Sequence, residues 1–324
     1  KKWSSINTMD PAYDQYEKAR EFYRTHEYLA WIGEDESDEE TIRSASEEAL
    51  DQSENANSPA NTDSASAKIS DQPMIYPMQQ LMDYDFLMKH FYNVHTSTTA
   101  DRELMNAKNL LSKDLTLEKE DAPQILIYHT HSQESYKNSK KDENVVAVGQ
   151  KLTDLLTEKG WNVYHDTTVY DLAVGKLDRS RAYTYALEGI NEILARYPSI
   201  QVVLDIHRDG VGEDVYLKTE IGGQPSARIM FFNGLSQTPE GPISYLANPF
   251  REDNLAFSLK LQLKAEEYYP GFTRKIYLKG LRYNQHLRAR SALVEVGAQT
   301  NTFEEACNAM MPLAELLDMV LQGK

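Results

Sequence analysis

PQILIYHTHSQESY, residues 123–136, is the stretch on which the fold turns. Gln124–Tyr128 is an apolar run of strand length with no polar alternation, which reads as a strand buried on both faces. His129, His131 and Glu134 follow directly after it. Outward from this stretch, Val145–Glu158 has helical spacing and stops at Lys159-Gly160. Trp161–His165 reads as a second strand, and Ser180–Tyr197 as a helix ended by Pro198. Ile200–Ile206 (IQVVLDI) reads as a third buried strand, and Ala227–Phe232 and Lys275–Leu278 are further candidates. Arg251–Tyr269 is a predicted helix stopped by Pro270-Gly271, Ala292–Val296 a late strand and Phe303–Leu321 a closing helix. Strands alternating with helices predict an α/β fold: a mostly parallel sheet with helices on both faces. In such sheets the chemistry gathers beyond the C-terminal ends of the strands.

The chain has 324 residues, enough for one large core with appendages. Asp10-Pro11 caps a predicted helix within an N-terminal segment, residues 1–32, whose aromatic residues read as packing. Residues 33–73 are expected to be an acidic disordered linker; between Glu34 and Asp71 lie twelve acidic and two basic residues. Residues 74–122 read as a helical extension packing on the main domain, which spans 123–324. The formal net charge of −16 is concentrated in the linker and gives no footprint for nucleic acid. No run of eighteen apolar residues exists. The chain opens at Lys1 without a secretory signal, which fits a piece whose anchor lies upstream. Cys307 is the single cysteine, so a metal site must be built from His, Asp and Glu.

Three strand ends carry such residues. The first ends in His129, His131 and Glu134, the third in Asp205, His207, Arg208 and Asp209, and the late strand carries Glu295 before Gly297. A lone histidine at a strand end is usually structural. Three strand ends with imidazole and carboxylate groups instead suit zinc, which takes three such ligands in hydrolases and leaves one position for water. A glutamate that is not a ligand then moves the proton, and Glu295 is placed for that task. His165 also follows a strand, but its neighbours Asp166, Thr167 and Thr168 read as a turn.

The segments YHTHSQESY (128–136), LDIHRDG (204–210), RYNQ (282–285) and ALVEVGAQTNT (292–302) together resemble the stage II sporulation protein P family, a branch of the zinc-dependent N-acetylmuramoyl-L-alanine amidases. The resemblance covers residues 76–322. It implies an amidase-like α/β fold with one zinc ion and cleavage between the lactyl group of muramic acid and L-alanine of the stem peptide, with endopeptidase cleavage of stems also associated with the family. It implies cell-wall remodelling during engulfment, beside a partner lytic transglycosylase and membrane proteins. It also implies an extracytoplasmic location on an N-terminal tether. By position it gives His131 and His207 as metal histidines and Glu295 as the catalytic glutamate. The carboxylate ligand is Glu134 by the ESY context, or Glu143 if it opens the first helix as in wider amidases. His129 is expected behind the ligands or against substrate, and Arg208 is a second catalytic candidate that lines the site. Asp209, Asn284 and Gln285 are expected to line the site.

Two other readings use the same residues. A strand-end His-x-His also opens amidohydrolase barrels, but those need eight βα units and only about six strand candidates follow Pro123. A tyrosine-rich wall-binding module, with 20 Tyr in the chain, would bind without cutting. The intact set of His131, His207 and Glu295 argues against it.

Overall fold

The computed structural model describes residues 74–172 and 177–324. The expected helix over 10–32 and the acidic linker to residue 73 lie outside the described residues. The elements run in the order α1 (Met78–Leu81), α2 (Tyr84–Phe91), β1 (Tyr92–Val94), α3 (Ala107–Ser112), β2 (Ile125–Tyr128), α4 (Val145–Glu158), β3 (Val163–His165), α5 (Arg179–Arg196) and β4 (Val202–Asp209). There follow β5 (Lys218–Ile221), β6 (Gln224–Ala227), β7 (Ile229–Gly234), β8 (Gln237–Thr238), β9 (Gly241–Pro242), α6 (Arg251–Tyr268), β10 (Ile276–Lys279), β11 (Arg290–Ala298), α7 (Phe303–Asn308) and α8 (Met310–Leu321). No described helix is long and apolar enough to cross a membrane.

Seven strands form one sheet in the order β1-β10-β7-β11-β4-β2-β3. Every pairing is parallel except that of β11 with β7. The sheet is therefore mostly parallel, as the alternation of elements predicts, with one antiparallel seam. On one side of the seam β11, β4, β2 and β3 run together, so the C-terminal ends of β2, β4 and β11 point to the same rim.

The two-residue period of strands sorts the side chains onto two faces. Ile125, Ile127, Val202, Leu204, Ile206, Val294 and Val296 belong to the large core that includes residues of α4, α6 and α8. Leu126, Tyr128 and Val203 pack instead against Ala186, Ile190 and Leu194 of α5. Burying each such aliphatic side chain stabilises the fold by roughly 1.5–3 kcal/mol. The same alternation places Asp205, His207, Leu293 and Glu295 on the α5 face, so the polar residues occupy the upper end of a face whose lower part is apolar.

The boundaries differ from the expected ones where a local signal was too short. Tyr92–Val94, inside the segment expected to be a helical extension, adds an edge strand against β10. The segment expected as one strand over 227–232 is divided at Arg228 between the hairpin β5–β6 and the sheet strand β7. The closing helix breaks at Ala309, which ends α7 and begins α8. Pro312 explains the break: it has no N–H for a carbonyl one turn back, and the first turn of a new helix is where that absence does least harm.

Candidate metal centre

The turn after β2 is held from two sides. Thr130 donates its backbone N–H (2.9 Å) and its hydroxyl (2.6 Å) to the carboxylate of buried Asp205 on β4. Asp171 accepts from the Ser132 hydroxyl (2.7 Å) and the Gln133 amide (3.0 Å). Between these anchors the Glu134 amide donates to the His131 carbonyl at 3.1 Å, a tight turn that turns both side chains to the same side. His207 reaches that point from β4, and His131, Glu134 and His207 bring one potential ligand atom each within 4.8 Å of one another.

The spacing fits an ion. His131 Nδ1 lies 3.6 Å from Glu134 Oε1, and His207 Nδ1 lies 3.5 Å from Glu134 Oε2. These separations are too long for hydrogen bonds. They match the ligand-to-ligand edge of a tetrahedron, about 3.3–3.6 Å for the usual zinc bond lengths. The two rings stand at 82° with centroids 5.0 Å apart. The Nε2 atoms of both are buried and make no well-aligned hydrogen bond; that of His207 lies 2.9 Å from Asp205 Oδ1 but off the N–H axis. A cation at the Nδ1 edges that face Glu134 would leave each Nε2 as an N–H donor, that of His207 beside the Asp205 carboxylate. Burial alone would raise the Glu134 carboxyl, but the neighbouring imidazoles of His131 and His207 hold it well below the usual carboxylate range. Its Oε2 also accepts the backbone N–H of Arg208 at 3.0 Å.

Glu295 stands beside this group. It is the cross-strand partner of His207 on β4 and of Met230 on β7. Its Oε2 is buried without a hydrogen-bond partner. Burial, with Asp209 nearby, raises its carboxyl to about 8. The strand is bulged between Glu295 and Ala298. Gly297 sits in the bulge at φ +61°, where a Cβ would lie 2.6 Å from Asn301 Oδ1. The glycine thus permits the kink that aims Glu295.

The other expected residues fall in different places. Glu143 does not join the cluster: its carboxylate accepts from the Lys140 amide (2.9 Å) and ammonium (2.9 Å). Arg208 neighbours His207, so alternation turns it to the opposite face. Its guanidinium donates to the carbonyls of Ser135 (3.0 Å) and Asp209 (3.1 Å), and its backbone amide donates to Glu134. His129 is fully buried against α4, with Nδ1 3.0 Å from the Ile206 carbonyl and Nε2 2.9 Å from His165 Nε2. It therefore lies behind the ligand strand and not against substrate. Gly149 of α4 makes room for it, since a Cβ there would come within 2.5 Å of the His129 ring. Asp209 is paired with Arg274 at 2.5 Å. Gln285 caps the end of β7, accepting from the Gly234 amide (3.1 Å) and donating to the Phe232 carbonyl (2.9 Å). Asn284 donates to the Tyr183 carbonyl at 2.9 Å.

Four contributors were not read from the sequence as site residues. Tyr183 of α5 is buried, edge-on to His131 (5.5 Å, 82°) and parallel to His207 (6.3 Å, 9°). A tyrosine in a helical pattern carries no signal for such a place. Asp205 was visible, two residues before His207 on the same face. His165 satisfies the same strand-end rule as the ligands and was set aside for its turn-like neighbours. Arg179, whose Nη2 lies 3.4 Å from Glu134 Oε1, was marked only by being a cation at a helix start.

The model of the stage II sporulation protein P family matches residues 10–318. The chain belongs to that family. A member of the family, stage II sporulation protein P of Bacillus subtilis (strain 168), is 28% identical over 214 residues, covering 60% of this chain and 50% of the relative. The chain thus spans half the length of the curated family member it matches. Among solved structures, it is similar to the CwlD amidase from Clostridioides difficile in complex with the GerS lipoprotein, at 16% identity and a TM-score of 0.38, over 60% of this chain and 99% of that one. It is also similar to the apo form of the N-acetylmuramyl-L-alanine amidase Ami1 from Mycobacterium abscessus, at 15% identity and a TM-score of 0.32, over 62% and 97%.

Proposed function

We propose that this family member is a metal-dependent peptidoglycan hydrolase, an N-acetylmuramoyl-L-alanine amidase that uses zinc held by His131, Glu134 and His207. The observation that carries the reading is the meeting of these three side chains from two chain segments, with the unpartnered carboxyl of Glu295 next to His207. Two imidazoles and a carboxylate are the donor set of a zinc hydrolase site that leaves a position open. An ion bound there would supply an activated water and polarise the scissile carbonyl.

The remaining work belongs to the chain's own residues. Glu295 accepts the proton of the attacking water at its free oxygen and passes it to the departing alanine nitrogen. Its Oε2 is buried without a hydrogen-bond partner beside His207, which leaves that oxygen free to take the proton and return it. Tyr183 walls the two imidazoles on the α5 side and fixes their orientation. Asp205 ties the His131 turn to β4 through Thr130 and backs the His207 ring. Family membership supports a role in cell-wall remodelling during engulfment, outside the cytoplasm on a membrane tether. It also supports work beside a lytic transglycosylase and membrane proteins, with endopeptidase cleavage as a second activity. In this reading residues 123–324 are the catalytic domain and 74–122 an extension packed on it.

The test is digestion of purified peptidoglycan with and without a chelator, with released fragments read by mass spectrometry. Chelator-sensitive release of free stem peptides, leaving bare glycan strands, is the expected result. Bound zinc without release would assign the cutting to an assembly with a partner. Neither zinc nor release would favour a wall-binding module.

A further inference from the structure

Arg179 is the first residue of α5, after the N-cap Asp178. The positive end of the helix dipole disfavours a cation there, by about 0.3–1 kcal/mol. Local stability therefore does not explain the residue. Nor does Asp178, whose carboxylate lies 3.7 Å from Arg181. The ion pair described for Arg179 is a single long one, Nη2 to Glu134 Oε1 at 3.4 Å, with the side chain 41% exposed. Glu134 does not depend on it: both imidazoles face the carboxylate at 3.5–3.6 Å and the Arg208 amide bonds it at 3.0 Å. A guanidinium has five donors in a planar fork that fits a carboxylate with two parallel hydrogen bonds. At Arg179 one Nη stands near Glu134 and the side chain is half-exposed, which leaves donors for a second carboxylate.

The surroundings indicate what it meets. Glu134 and Asp205 bring two buried carboxylates to the centre, and Arg274 is already paired with Asp209. An anionic substrate entering here needs a counter-charge at the rim. Wall stem peptides carry free carboxylates on the amine side of the lactyl amide. We infer that Arg179 is a specificity-determining residue that binds a carboxylate of the acidic stem peptide, an inference that rests on the peptidoglycan reading above. Bound there, the peptide carboxylate would be held beside Glu134 on the α5 side of the centre.

The probe is a pair of synthetic stem tetrapeptides, one with the glutamyl α-carboxylate free and one with it as a carboxamide. Their binding to the zinc-loaded chain is measured by calorimetry, beside Arg179→Gln and Arg179→Lys, with the metal content of each sample determined. The wild-type chain is expected to prefer the carboxylate peptide by roughly tenfold. Arg179→Gln should bind both peptides equally at unchanged metal content, and Arg179→Lys should keep part of the preference. An undiminished preference in Arg179→Gln overturns the inference. So does a wild-type chain that fails to prefer the carboxylate or binds neither peptide. Failure of the hydrolase reading shows separately, as peptidoglycan left uncut by the wild type, while the peptide preference still reports on Arg179.

Discussion

Replacing Gly297 by alanine tests the link between backbone and chemistry most sharply. The residue has φ +61°, a left-handed conformation that costs an L side chain about 1–2 kcal/mol. The new Cβ would also lie 2.6 Å from Asn301 Oδ1 and 2.9 Å from Ala227 Cβ. Asn301 has no room to yield. It is fully buried, its Oδ1 accepts the Ala298 amide at 3.0 Å, and its Nδ2 donates to Leu217 and Glu305. Overpacking of this kind costs roughly 1–3 kcal/mol. Together the two effects give a loss of about 3 kcal/mol, or a fall in Tm of about 6–12 °C for a domain of this size. Because the bulge aims Glu295, turnover should fall further than the loss of folded protein accounts for, measured at a temperature where the variant is folded. Gly210→Ala is the control: nothing lies within 4 Å of its added Cβ, so it should be close to silent. Urea denaturation supplies the stability difference and release of stem peptides the activity. A loss below about 1 kcal/mol with normal turnover would refute the view that the glycine bulge holds Glu295 in place.

Glu295→Gln should retain zinc but lose turnover by about 10²-fold or more, while His131→Ala and His207→Ala should lose both; metal analysis beside the digestion assay separates these outcomes. Glu305→Gln should change the acid limb of stability. Burial opposes the charge on Glu305, but hydrogen bonds from Tyr216, Asn301 and Thr302 hold its carboxyl below the ordinary glutamate value of 4.5. A depressed carboxyl stabilises the fold above that value, and the contribution disappears as the pH falls through its lowered value. The stability gap between wild type and variant should therefore be widest near neutrality and close below pH 4.5, as followed by urea midpoints across the acid range.

The strands at the centre of the sheet were legible because Ile125–Tyr128 and Val202–Ile206 are apolar runs too short for helices and bounded by polar residues. α4 was legible because its helical spacing runs over Val145–Glu158 and Lys159-Gly160 ends it; the Asn144 cap at its start shows only in the structure. Edge elements were not. Tyr92–Val94 has three residues, and its strand character comes from pairing with β10, which no local pattern announces. At the site, His131, Glu134, His207 and Glu295 could be named because strand ends are few and metal-ligating residue types at them fewer. The choice between Glu134 and Glu143 needed the turn geometry. Arg208 next to His207 shows the limit of reading by adjacency, because neighbours on a strand face opposite ways. Tyr183 and Arg179 depend on how α5 lies across the sheet, a tertiary fact with no local trace.

The order of the site residues along the chain has a consequence for how such proteins diverge. His131 and Glu134, then His207, then Glu295 lie on or just beyond strands that are neighbours in space but are separated in sequence by long stretches, of which α5 supplies Tyr183 and Arg179 while the hairpin β5–β6 and α6 supply none of these side chains. Lengthening a surface loop between them costs little, because the free energy of closing a loop grows only slowly with its length. Selection can therefore rewrite the intervening stretches freely while holding a few short blocks still. Distant relatives should look like islands of identity at drifting intervals, and a search by overall identity will lose them long before the chemistry is gone.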